Sequence, residues 1–158
     1  MSKRSKIIYF FVSFIFFTLA NLYFSELILA NTALLPENDI LDLIFIQNQG
    51  AAFNILHGSK TFLISFSAVA VLAIIVYIIR HIQVFSTIAV LFTALLCSGI
   101  FTNMMERIIF GFVRDYIKLN FVDFPVFNIS DIFINLGVFV IVIIIIKNSY
   151  FRNNENNN

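Results

Sequence analysis

The sequence predicts an all-α membrane protein: four transmembrane helices with a small, partly β surface element on the extracytoplasmic side. Three observations lead there. Of 158 residues, 60% are hydrophobic and 12% charged, with a mean hydropathy of +0.95, outside the range of ordinary soluble domains. The apolar residues gather into four runs, each near the roughly 20 residues a helix needs to cross a bilayer. Turn formers and charges fall between those runs, and no Pro/Gly/Ser-rich linker divides the chain. A single polytopic domain over 1–150 is expected, followed by a low-complexity, disordered cytoplasmic tail over 151–158.

The first span is expected over about 7–30, behind the basic head Lys3, Arg4 and Lys6. A cleaved signal peptide is the competing reading, because a basic start precedes an apolar core. The apolar stretch is long for that, and Ala30-Asn31-Thr32-Ala33 is a weak cleavage site, so a retained helix is favoured. Residues 31–60 are polar, with a turn at Pro36-Glu37-Asn38-Asp39 and strand-like pieces from Ile44 to Asn48 ahead of Gly50. Ala51, Ala52 and Phe53 are expected at the membrane-facing edge of this segment. The second span covers about 61–80; its nineteen uncharged residues, Thr61 to Ile79, make about 28 Å of helix. A tight connection at Arg80-His81 leads to the third span, about 84–106. A second surface segment carries Arg114, Asp115, Lys118 and Asp123, with Pro125 as a breaker, and the fourth span covers about 130–147.

Charge orients the bundle. With the N-terminus inside, the cytoplasmic segments hold six basic residues, Lys3, Arg4, Lys6, Arg80, Lys147 and Arg152, against one acid, Glu155. The outer segments hold Lys60, Arg107, Arg114 and Lys118 against eight Asp or Glu. That asymmetry obeys the positive-inside rule, so both termini are expected in the cytoplasm. Counting about twenty residues back from Lys147 reaches Asn128, which puts Asp131 roughly one turn, about 5 Å, below the outer boundary.

A carboxylate at that depth costs about 2.5–3.5 kcal/mol on insertion scales and is a functional candidate by default. Asp115 and Asp131 lie at the outer ends of two spans, and no other charge lies deep in lipid. Gly99, Asn103, Arg107, Gly111 and Asp115 recur every four residues; a continuing helix would align them in one stripe, whereas a C-cap at Gly111 would leave Asp115 on a loop. Structural explanations exist for each residue. Arg107 could pair with Glu106 or Asp115, Asp131 could be a helix N-terminal charge with Ser130 as an alternative cap, and Asp115 could be a surface acid between Arg114 and Lys118. Asn135 reads as an interhelical hydrogen bonder. Two close carboxyls cannot both ionise cheaply, so such a pair shares a proton and can activate water as general base and general acid. No other chemistry competes: Ser65, Ser67 and Ser98 lack a Lys or His at helical spacing, and lone Cys97, His57 and His81 make no metal site. No cofactor, metal or nucleic-acid partner is expected.

Three blocks resemble the bacterial lipoprotein signal peptidases (signal peptidase II). They are Asn48-Gln-Gly-Ala-Ala-Phe53; Asn103-Met-Met-Glu-Arg107 with Gly111-Phe-Val-Arg-Asp115-Tyr-Ile; and Phe127-Asn128-Ile-Ser-Asp131-Ile-Phe-Ile-Asn-Leu-Gly137. The resemblance spans nearly the whole chain. It implies an aspartic endopeptidase of the bacterial inner membrane, its site toward the outer face, that removes signal peptides from prolipoproteins before the diacylglyceryl-cysteine. It implies Asp115 and Asp131 as the catalytic pair, and Asn48, Gly50, Asn103, Arg107 and Asn128 as residues that line the site or hold the substrate. A prolipoprotein substrate reached through membrane lipid, and a monomeric enzyme, are expected. The chain departs from the family where an Asp and, four residues on, a Lys are usual in the first helix; here stand Asn21 and Ser25. Glu106 and Thr102 replace the usual Asp and Gly near Arg107. These departures motivate a second reading, an inactive lipopeptide-binding relative; a small transporter or proton-relay subunit is the third.

Overall fold

In the computed structural model of the protein, the described residues are 1–31, 39–51 and 55–155, with side chains described as far as residue 147. The chain runs α1 (Lys3–Asn31), β1 (Leu41–Asn48), α2 (Lys60–His81), α3 (Thr87–Ile109), β2 (Val113–Leu119) and α4 (Ile129–Glu155). Four helices are long and apolar enough to cross a membrane: Lys3–Asn31, Lys60–His81, Thr87–Ile109 and Ile129–Lys147. The architecture is the expected one, an all-α membrane bundle with a small two-stranded sheet.

The helix boundaries differ from the hydropathy runs for local reasons. The third span begins at Thr87 because Ser86 caps it, its Oγ accepting from Ala89 N at 3.1 Å. That helix closes at Gly111, which adopts φ +90° and donates to Arg107 O at 3.1 Å. Asp115 therefore leaves the helical stripe and sits on a strand. α4 continues as helix to Glu155, past Lys147; residues 156–158 of the expected tail, the turn at 36–38, and Ala52 and Phe53 lie outside the described residues.

α3 is the central helix and packs against α1, α2 and α4. Its polar side chains Ser98, Thr102, Asn103, Glu106 and Arg107 are buried in protein, while α1, α2 and α4 present Phe16, Tyr23, Val69 and Ile143 outward. The apolar core, Phe10, Ile78, Ile82, Val90, Ala94 and Cys97, occupies the end of the bundle away from the sheet. At that end Lys6 Nζ donates to Ile82 O, Gln83 O and Phe85 O at 3.3, 3.3 and 2.6 Å, tying α1 to the connection between α2 and α3.

The polar elements collect at the other end. β1 and β2 pair antiparallel, with Leu41 opposite Leu119 and Asn48 opposite Val113, and an irregularity between Leu43 and Ile46. β1 lies in the segment read as strand-like, whereas β2 was not foreseen. Phe127 then bridges back to Ile117, exchanging backbone bonds of 2.8 and 3.0 Å, which delivers residue 128 beside β2. α3 and α4 approach closely where Gly99 faces the start of α4: a Cβ there would lie 2.5 Å from Ser130 O and 2.9 Å from Ile134 Cγ1. The nearer contact is backbone, so only a shift of α4 can relieve it. Gly99→Ala is expected to cost about 1–3 kcal/mol, read as a lower thermal unfolding midpoint in detergent micelles; an unchanged midpoint would mean the helices have slack there.

Candidate active site

The site is assembled from three elements whose ends meet at the sheet. β2 contributes Asp115, opposite Ile46 of β1 and only 3% exposed. Its carboxyl accepts from two side-chain amides: Oδ2 from Asn48 Nδ2 at 2.9 Å and Oδ1 from Asn128 Nδ2 at 2.8 Å. Asp115 is thus not a surface acid. Its basic neighbours look elsewhere, Arg114 to Glu26 and Glu106 at 2.8 and 2.7 Å, and Lys118 to Asp42 at 3.9 Å.

Asp131 stands in the first turn of α4. Asn128 caps this helix, its Oδ1 accepting from Asp131 N at 3.0 Å, and Asp131 Oδ2 accepts from Asn128 N at 3.1 Å. The pair forms a reciprocal capping box with Asp in the place of the more usual Glu. Ser130 takes no part in the cap; its Oγ accepts from Asn21 Nδ2 at 2.9 Å. The other Asp131 oxygen, Oδ1, accepts from Asn103 Nδ2 at 2.9 Å. Asn103 Oδ1 in turn accepts from Asn128 Nδ2 at 3.2 Å, so two asparagines link the two aspartates.

Arg107, one turn after Asn103, does not pair with Glu106 or Asp115. Its Nη2 donates to Gly50 O at 2.6 Å and its Nη1 to Asn103 O at 3.1 Å, while buried Nε has no partner among the described residues. Gly50 is presented by a turn in which its N donates to Asn48 Oδ1 at 2.9 Å. Glu106 instead accepts three bonds from Arg114, from its backbone N at 2.7 Å, Nε at 3.0 Å and Nη2 at 2.7 Å.

All seven residues singled out from the sequence meet in this one network. Five of them, Asn48, Asn103, Arg107, Asp115 and Asp131, line a cavity of about 1550 Å³. Gly50 and Asn128 are not in its lining; they hold Arg107 and the two aspartates from behind. Away from the carboxyls the lining is apolar, with Phe66 and Ala70 of α2 facing Val138, Phe139 and Val142 of α4. Asn135 also lines the cavity, but it is not an interhelical bonder: its Nδ2 donates to Asp131 O at 2.8 Å within α4. The reason is spacing, since that carbonyl lies one turn back on the same helix.

Burial dominates the electrostatics of Asp115. Loss of water raises its carboxyl from the usual 3.8 to about 7, helped by the charges of Asp131 and Glu106 and opposed by the amides of Asn48 and Asn128. Among the described residues, no cluster of His, Cys, Asp and Glu could hold a metal ion. Sequence reasoning missed Tyr116, which is fully buried and bonds Ser25 Oγ at 2.7 Å and Ile129 N at 3.2 Å. A tyrosine directly after a candidate aspartate gives no local signal, because its partners come from a distant helix.

Comparison with known proteins follows the same geometry. The family model described as Signal peptidase (SPase) II matches residues 7–147. The lipoprotein signal peptidase of Streptococcus thermophilus (strain CNRZ 1066) is 33% identical over 108 residues, 68% of this chain and 70% of that protein. The lipoprotein signal peptidase of Clostridium tetani (strain Massachusetts / E88) is 32% identical over 120 residues, 74% of this chain and 76% of that one. Two solved structures, each described as a bacterial membrane enzyme determined by the in meso method, share the fold. The one at 2.3 Å resolution has a TM-score of 0.76 at 24% identity, covering 89% of this chain and 88% of that one. The one at 1.9 Å has a TM-score of 0.69 at 27% identity, covering 90% and 93%. With a match that spans nearly all of the bundle and both aspartates, this chain belongs to the signal peptidase II family.

Proposed function

We propose that this protein is an intramembrane aspartic endopeptidase that removes signal peptides from lipid-modified prolipoproteins, cutting before the diacylglyceryl-cysteine. The observation that carries the reading is the pair Asp115 and Asp131, linked through Asn128 and Asn103 at the polar end of an otherwise apolar cavity. The names of the curated relatives support the substrate class. Two neighbouring carboxyls share one proton. The ionised carboxyl takes a proton from water as the water oxygen attacks the scissile carbonyl carbon, and the protonated partner gives its proton to the carbonyl oxygen. Collapse of the tetrahedral intermediate breaks the C–N bond: one hydroxyl proton returns to the carboxylate that gave it, and the proton taken from water passes to the leaving amine. The amides of Asn48, Asn103 and Asn128 fix the carboxyl oxygens so that neither swings away between steps.

Asn48, Asn103 and Arg107 are the lining groups suited to hold the peptide backbone. Gly50 and Asn128 act on the substrate through the residues they hold. The wall of Phe66, Phe139 and Val142 suits a substrate that stays in lipid. With both termini cytoplasmic, the pair lies toward the outer face of the inner membrane. One chain supplies both carboxyls, so a monomer suffices.

Asp115→Asn and Asp131→Asn are each expected to lower cleavage of a lipid-modified preprotein by at least about 10²-fold while both variants keep the wild-type unfolding midpoint near neutral pH to within a few degrees; wild-type turnover by either would refute the pair. Turnover by the purified wild type removes the reading as an inactive lipopeptide binder. Cleavage is also expected to fall as pH rises through about 7, where the shared proton is lost. Stability follows the same group. Because folding raises the Asp115 carboxyl, its protonated form favours the fold; that contribution is complete below 3.8 and is lost as pH climbs through about 7. Thermal unfolding across that window is expected to show the slope in the wild type and a flatter one in Asp115→Asn.

A further inference from the structure

A second polar network lies beside the two aspartates, buried and outside the lining of the cavity, and the reaction does not use it. Its members are Asn21 and Ser25 of α1, Tyr116 of β2 and Ser130 of α4, exposed by 0, 3, 0 and 3%. Ser25 Oγ donates to Asn21 Oδ1 at 3.2 Å, and Asn21 Nδ2 donates to Ser130 Oγ at 2.9 Å. With the Ser25 proton so used, the 2.7 Å bond between Ser25 and Tyr116 has the phenol as donor. The Tyr116 oxygen accepts from Ile129 N at 3.2 Å. Followed as donors, the bonds run from Ile129 N–H through Tyr116, Ser25 and Asn21 to Ser130, leaving the first turn of α4 and returning to it.

Each aspartate has its chain neighbour in this circuit: Tyr116 follows Asp115, and Ser130 precedes Asp131. β2 and α4 are separate elements, and among the described residues only Asn128 bonds both carboxyl-bearing residues directly. We propose that Asn21, Ser25, Tyr116 and Ser130 are positioning residues that set the separation of the Asp115 and Asp131 carboxyls, bracing β2 against α4 from outside the cavity lining. The proposal rests on the reading of those carboxyls as the catalytic pair. At neutral pH every member is uncharged, so removing one hydroxyl alters the spacing of the pair without altering the net charge around it. The charged groups that face Asp115 stay where they are: Glu106 and Arg107 on α3 and Asp131 on α4, with Asn48 on β1 neutral.

The test compares wild type with Tyr116→Phe, Ser25→Ala and the conservative Ser25→Thr, on the full chain in detergent or lipid, with a lipid-modified preprotein as substrate. A spacing error of a fraction of an ångström is expected to lower kcat about tenfold in Tyr116→Phe and Ser25→Ala, with KM held within about twofold. The alkaline limb of the kcat profile is expected to move to lower pH, because separated carboxyls repel less and water reaches Asp115. Ser25→Thr is expected to recover the wild-type profile. A brace that only stabilised the fold would lower the unfolding midpoint and leave kcat per folded molecule and the pH limb unmoved, and that result overturns the proposal. Should wild type itself fail to cleave, the catalytic reading falls first. The brace is then read from the pH step in thermal unfolding near about 7: displacement in Tyr116→Phe upholds it, and an unmoved step overturns it.

Discussion

The side-chain amide of Asn128 serves both aspartates at once. Its nitrogen donates to Asp115 and its oxygen accepts from the backbone of Asp131, whose carboxyl reaches back to the backbone of Asn128. A buried carboxyl without donors is expensive, and two side by side are worse. The protein answers with neutral amides. Asn48, Asn103 and Asn128 donate N–H bonds that lower the cost of each charge without discharging it. A bonded arginine would have held the carboxyls ionised. Arg107 is nearby, but its guanidinium is spent on the carbonyls of Gly50 and Asn103.

Charge is sorted accordingly. The other buried acid near the site, Glu106, is committed to Arg114, which also takes Glu26 and lies over the Phe110 ring at 4.3 Å. This cluster ties α1, α3 and β2 together and keeps the Arg114 guanidinium off the carboxyls of Asp115 and Asp131. Glu106 therefore reads as an anchor for β2, and its longer side chain in place of the family's usual Asp is absorbed by the reach of Arg114. Asn21 and Ser25 are absorbed in the same way, as a neutral set of hydrogen bonds with Tyr116 and Ser130.

The helices were legible because a membrane span is written in composition and length, which need no partner to be read. β1 was legible from its own apolar pattern. β2 was not: Val113-Arg-Asp-Tyr-Ile-Lys-Leu becomes a strand by pairing with β1, and its charged residues find partners on α1, α3 and β1. Asp115 and Asp131 could be named because ionisable groups at the end of a lipid-soluble run are conspicuous. Their relation through Asn128 could not, since a side chain that caps a helix and spans two elements leaves no spacing rule. Asn128 was missed as the cap for the same reason, Asp131 and Ser130 having been the two residues considered. Ser130, the alternative considered, bonds Asn21 instead.

The first helix bears on how the molecule must be kept. It does not line the cavity, yet Asn21, Ser25 and Glu26 are the far halves of bonds made by Ser130, Tyr116 and Arg114. Trimming the chain after Ala30, as a processing enzyme would do to a leader, would strand those groups against hydrocarbon with nothing to bond. Unlike the sequences such enzymes discard, this amino-terminal segment holds the chain neighbours of both aspartates, and those bonds do not outlast its removal.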